Sequence, residues 1–90
     1  MDLTDKVVVV TGGSAGLGEQ VCYEAAKRGA IVVTCARRIN LIGQVRERCS
    51  ELSGKDAYAF QLDIADPDSV EAVIEKIAAE VRSEERRVGK

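Results

Sequence analysis

Thr11-Gly12-Gly13-Ser14-Ala15-Gly16-Leu17-Gly18 joins the unbroken apolar run Val7-Val8-Val9-Val10 to a segment with helical apolar spacing, so it reads as the turn from a buried strand into a helix. Without side chains at Gly12, Gly16 and Gly18, the backbone is expected to turn through positive φ and to let a ligand approach the main chain. The unpaired N–H groups of the helix start would face the same space. A pyrophosphate suits such a site. A glycine-rich turn of some other α/β domain is the alternative.

Outward from this turn, strands and helices alternate. Val7 to Val10 are β-branched without polar alternation, which suits a central strand of a parallel sheet covered on both faces. In the first helix Leu17, Val21 and Ala25 recur on one side, and Gly29 after Lys27 and Arg28 is a C-terminal stop. Ala30 to Cys35 predicts a second strand. Ile42, Val45, Cys49 and Leu52 predict a second helix behind Asn40 as cap, closed by Gly54. Ala57 to Leu62 is a third strand, followed by Asp63 and Ile64. Asp66-Pro67 then opens a third helix with an apolar stripe of Val70, Val73, Ile74, Ile77, Ala78 and Val81. The order β-α-β-α-β-α with short connections predicts an α/β fold with right-handed crossovers and a parallel sheet in the order 3-2-1. This is the first half of a doubly wound, Rossmann-type fold.

Ninety residues allow one small domain, which buries only roughly 60 to 65% of its unfolded surface. Thirteen basic against 15 acidic residues give a net charge of −2, with no basic stripe or interleaved aromatics, which argues against a nucleic-acid partner. No apolar run approaches the roughly 20 residues of a membrane span, and the N-terminus lacks the pattern of a signal peptide, so a cytoplasmic location and no membrane partner are expected. Cys22, Cys35 and Cys49 show no metal-ligand spacing, and histidine is absent. No metal site or Ser-His or Cys-His nucleophile is therefore expected, and the thiols read as small apolar core residues.

The spacing Gly-x-x-x-Gly-x-Gly differs from the common Gly-x-Gly-x-x-Gly dinucleotide fingerprint. Thr11-Gly12, Gly16 and Gly18 after a first strand resemble the cofactor motif of the short-chain dehydrogenases/reductases. The resemblance covers residues 1–81, about the first third of a protein that typically runs to roughly 250 residues as one domain. It implies the partial NAD(P)-binding domain of an oxidoreductase that transfers hydride between carbonyl and alcohol, with a small-molecule substrate and a homo-oligomeric parent. The implied cofactor-binding residues are Gly12, Ser14, Gly16, Leu17, Gly18, Arg37, Arg38, Asp63 and Ile64.

The choice of cofactor turns on the end of the second strand, Thr34-Cys35-Ala36-Arg37-Arg38. An acid about 20 positions past the glycines would take the ribose hydroxyls of NAD and repel a 2′-phosphate. Ala36 stands there instead, and two guanidinium groups follow, planar donors matched to phosphate oxygens. NADP is expected rather than NAD. The resemblance gives Arg37 the 2′-phosphate, with Ser14 as a further hydroxyl donor, and gives Asp63 the adenine amino group beside the apolar Ile64.

The family's Tyr-x-x-x-Lys pair acts with a serine as general acid/base. The string Tyr23-Glu24-Ala25-Ala26-Lys27 reproduces it on the first helix, far from where the family carries it, and both side chains are expected to point outward. The chain as given is therefore expected to hold no catalytic residue and to be inactive. Arg82 to Lys90 resembles a translated sequencing adaptor and is expected to stand outside the fold, as a non-native or disordered tail. With those nine residues, four basic and two acidic, set aside, the net charge is −4. Two alternatives remain: a stand-alone non-catalytic nucleotide-binding module, and a flavodoxin-like domain holding another phosphate. A complete module would protect both sheet edges, whereas Val7 to Val10 is left as an apolar edge.

Overall fold

In the computed structural model, which describes residues 2–12 and 16–81, β-branched runs and helical stripes fold as their periods require. The elements are β1 (Val7–Thr11), α1 (Gly16–Lys27), β2 (Ile31–Ala36), α2 (Ile39–Ser53), β3 (Tyr58–Gln61) and α3 (Pro67–Lys76), which runs on into a π-helical turn, Ile77–Val81. The strands are parallel in the order β1-β2-β3, with Val7 opposite Ile31 and Val33 opposite Tyr58. β2 is central and buried along its whole length, as expected for a strand covered on both faces.

Two apolar layers sandwich the sheet. On one face Val32 of β2 packs with Cys22, Ala25 and Ala26 of α1 and Val45 and Cys49 of α2. On the other, Ile31, Val33 and Cys35 meet Val73 of α3 and Val81 of the π-helical turn. Gly29 (φ +89°) and Gly54 (φ +73°) end α1 and α2 in left-handed conformation, and the Gly54 N–H donates to Ser50 O at 3.0 Å. Asp66 caps α3, accepting from the Asp68 N–H at 3.0 Å, with Pro67 in the first turn. At the N-terminal ends of the strands Lys55 Nζ bonds both Asp5 Oδ1 (2.6 Å) and Gly29 O (2.9 Å), tying three connections together.

β1 has one strand neighbour among the described residues, and Val9 is 47% exposed, so it is the apolar edge that the order 3-2-1 leaves, with Val8 and Val10 packed on one face and Val7 on the other. Three expectations change. The buried stripe of α1 is Cys22, Ala25 and Ala26, while Leu17 (81%) and Val21 (43%) are exposed. Small side chains let this helix lie close to β2 and α2, and the larger ones overhang the free side of β1. α2 begins at Ile39, with Arg38 at the cap position and no side-chain cap, and Asn40 lies inside the helix. On α3, Ile74 and Ala78 are exposed and the buried side is the narrower Val70, Val73, Ile77 and Val81. Residues 82–90, and with them the expected tail, lie outside the described residues.

Candidate cofactor site

The C-terminal ends of the three strands carry the groups that the sequence singles out, where open α/β sheets bind ligands. The Gly12 N–H donates to Cys35 O (2.8 Å) and the Leu62 N–H to Ala36 O (2.9 Å), so the ladder holds the strand ends in register up to the rim. A cavity of about 440 Å³ opens there, within the roughly 300–1,000 Å³ of small-ligand sites. Thr11, Gly12, Cys35 and Ala36 line it from β1 and β2, Arg37, Arg38 and Leu41 from the start of α2, and Leu62 and Ile64 from beyond β3. Arg37 also borders a second, polar cavity of about 260 Å³ with Gln61, Asp63, Asp66 and Ser69.

Gly12 has φ +71° and Gly16 φ +61°, a conformation that side-chain-bearing residues rarely adopt. A Cβ built at either would meet no protein atom within 4 Å; at Gly12, which lines the cavity, it would point into open space. Gly18 differs from expectation: it lies in the first turn of α1 without positive φ, so its contribution there is only the missing side chain. Ser14 lies outside the described residues. Leu17 is not brought to the cavity; it lines a separate apolar groove beside β1 with Leu3, Val8 and Val21.

Arg37 and Arg38 are exposed, and neither guanidinium makes an ion pair or hydrogen bond with a described residue. Among the described residues no carboxylate lines the larger cavity. Asp63 is held by its own turn: its N–H donates to Ser69 Oγ (3.1 Å) and its Oδ1 accepts from the Ala65 N–H (3.0 Å), leaving Oδ2 for another donor. Ile64 is 72% exposed at the cavity wall. These features fit an adenine dinucleotide: two cations without a counter-ion among the described residues, a backbone turn without a Cβ, an apolar wall and an oriented carboxylate beside it. Sequence reasoning had not picked out Leu41, Gln61 or Ser69. The one signal in the sequence for Ser69 is its place three residues after the Asp66 cap, inside the first turn of α3.

The Tyr23 and Lys27 pair is placed away from this rim. Tyr23 packs partly buried against the α1/α2 core, a correction to the outward position expected for it, and its OH donates to Glu19 Oε2 (2.7 Å). Burial and that carboxylate push its phenol up to about 12. Lys27 is exposed beside Glu24 at 4.0 Å. The three cysteines are free and buried. Burial raises all three thiols; nearby Thr34 and Cys49 partly offset this at Cys22, and Cys49 reaches about 12. No group of metal-binding side chains occurs among the described residues, and no helix there is long and apolar enough to cross a membrane.

Known proteins place the chain. Residues 6–84 match the family model of the short chain dehydrogenases. The chain belongs to the short chain dehydrogenase family. Members of this short-chain family are NAD(P)-binding oxidoreductases. The chain is 39% identical over 75 residues to 11-beta-hydroxysteroid dehydrogenase A of Sesamum indicum, covering 83% of this chain and 22% of that protein. It is 40% identical over 82 residues to dehydrogenase/reductase SDR family member 7 of Homo sapiens, covering 88% and 24%. Among solved structures, L-sorbose reductase of Gluconobacter frateurii, complexed with NADPH and L-sorbose, superposes with a TM-score of 0.83 at 31% identity, over 89% of this chain and 30% of that one. The chain thus spans about a quarter of the length of these two curated relatives.

Proposed function

We propose that this chain is the cofactor-binding N-terminal part of an NADP-dependent short-chain oxidoreductase that interconverts a small carbonyl compound and an alcohol. The observation that carries the proposal is the pair of guanidiniums, Arg37 and Arg38, that have no partner among the described residues, beside a cavity that no described carboxylate lines. An anion held there meets two cations and no opposing charge. The NADPH bound by L-sorbose reductase and the quarter-length match to the hydroxysteroid relative support the same reading.

The bound dinucleotide supplies or accepts the hydride. The chain's own residues bind and orient it. Gly12 and Gly16 give the backbone approach for the pyrophosphate at the start of α1, with Gly18 leaving its first turn bare and Ser14 adding a hydroxyl. Arg37 takes the 2′-phosphate, with Arg38 beside it. Asp63 accepts from the adenine amino group through its free oxygen, and Ile64 covers the ring. The acid/base residues, and the surfaces that choose the substrate and assemble the homo-oligomer, belong to the part of the parent beyond residue 81; the chain alone is inactive.

The test is Arg37→Ala in the full-length protein. Charge-assisted hydrogen bonds contribute about 1.5–3 kcal/mol, so NADPH affinity should fall roughly 10- to 150-fold while NADH affinity stays within two-fold. Equal loss for both nucleotides, or no loss for NADPH, would remove the assignment.

A further inference from the structure

We infer that Gln61 is a positioning residue for cofactor choice, acting through the backbone of Arg37. The inference rests on the NADP reading above. The last rung of the β2-β3 ladder is the Leu62 N–H to Ala36 O bond, with Ala36 in register with Gln61. Arg37 lies one residue beyond it. There the side chain of Gln61 takes over: Nε2 donates to Arg37 O at 3.1 Å, the one hydrogen bond to that carbonyl among the described residues.

Among the described residues the other backbone bond to this segment is the Leu41 N–H to Arg38 O, at 3.1 Å, one residue further on. Arg38, next in the chain, is extended (φ −103°, ψ 96°) at the cap of α2, and no side chain caps that helix. Neither guanidinium bonds a described residue, so the backbone sets the point from which each side chain starts and, with it, the space the cation can reach. Arg37 separates the two cavities. Because Arg37 borders both cavities, a shift of its backbone would change how far the side chain reaches into the larger one and how far towards the acidic side of the smaller one, where Asp63 and Asp66 stand. The Gln61 bond holds that backbone in place and so favours the reach of the cation into the larger cavity.

The readout is the ratio of the NADH to the NADPH dissociation constant in the full-length protein, since general damage would weaken both nucleotides alike. Gln61→Met keeps length and volume but removes the donor. It should lower the ratio roughly two- to ten-fold, the value of one net hydrogen bond, with NADH affinity held within two-fold. Gln61→Glu removes the donor and adds a negative charge beside Arg37, and should lower the ratio further. Gln61 is exposed, so both variants should keep the melting temperature. An unchanged ratio in Gln61→Met, or equal loss for both nucleotides, overturns the inference while the NADP reading stands. A parent protein that shows no NADPH preference overturns both.

Discussion

Gly12 and Gly29 share a left-handed backbone, φ +71° and +89°, and alanine at the two positions should have opposite consequences. For an L-residue that conformation costs roughly 1–2 kcal/mol, partly offset by about 0.4–1 kcal/mol from the stiffer unfolded chain. At Gly12 the new Cβ meets no protein atom within 4 Å, so the net loss is about 1 kcal/mol. For a domain of this size that lowers Tm by roughly 4–8 °C. The same methyl stands in the cavity, where a ligand's phosphate needs the backbone bare, and NADPH affinity should fall at least about ten-fold. At Gly29 the Cβ would lie 2.9 Å from Thr4 Oγ1 and 3.1 Å from Thr4 Cα. Thr4 cannot easily yield, because its neighbours are bonded across the same turn, Leu3 N–H to Arg28 O (2.9 Å) and Asp5 N–H to Gly29 O (3.3 Å). Overpacking adds about 1–3 kcal/mol, for a total loss of roughly 2–4 kcal/mol. Gly29 precedes β2, at the far end of the sheet from the cavity, so the folded fraction should bind NADPH as before. Thermal unfolding and NADPH titration, at a temperature where both variants are folded, separate the two. Unchanged NADPH binding in Gly12→Ala, or a Gly29→Ala variant that melts no lower than Gly12→Ala, would refute the reasoning.

Two further outcomes concern stability and association. Cys49 rises from 9.0 to about 12 and Tyr23 from 10.0 to about 12 on folding, so above pH 9 the unfolded chain gives up protons that the folded one keeps. Stability from these groups should be full below pH 9 and decline towards pH 12, and thiol reagents should label the folded chain slowly; a melting temperature that rises over that range, or prompt labelling, would contradict the burial. In the 90-residue chain by itself, the exposed β1 edge should give concentration-dependent association in sedimentation velocity, and Val9→Lys should reduce it; an unaltered 90-residue chain that stays monomeric at all concentrations would show that the edge is not adhesive.

Much of the fold was legible because single residues announce their geometry. Gly29, Gly54 and Asp66-Pro67 end or start their helices where the sequence places them, and the β-branched runs form the parallel strands in the expected order. The face of α1 was not legible. Leu17 and Val21 carry most of its apolar signal, yet the helix buries Cys22, Ala25 and Ala26, because close approach to β2 and α2 rewards small volume that a hydrophobicity pattern underweights. The start of α2 was misplaced for a related reason: Asn40 is a good cap by type, but the helix opens uncapped at the cavity rim. At the site, Arg37, Arg38 and Ile64 come to the cavity and Asp63 to its neighbour, as the turn-after-strand reading expects. Gln61 could not be found that way, since its partner is a backbone carbonyl 24 residues earlier that only the strand register brings within reach.

The most direct measurement is the pair of dissociation constants for NADPH and NADH in the unaltered full-length protein. With Arg37 and Arg38 unpartnered among the described residues, at a cavity that no described carboxylate lines, NADPH should bind at least about ten-fold tighter, and the advantage should shrink as salt screens the exposed charges. Equal affinities, or tighter binding of NADH, would contradict the account.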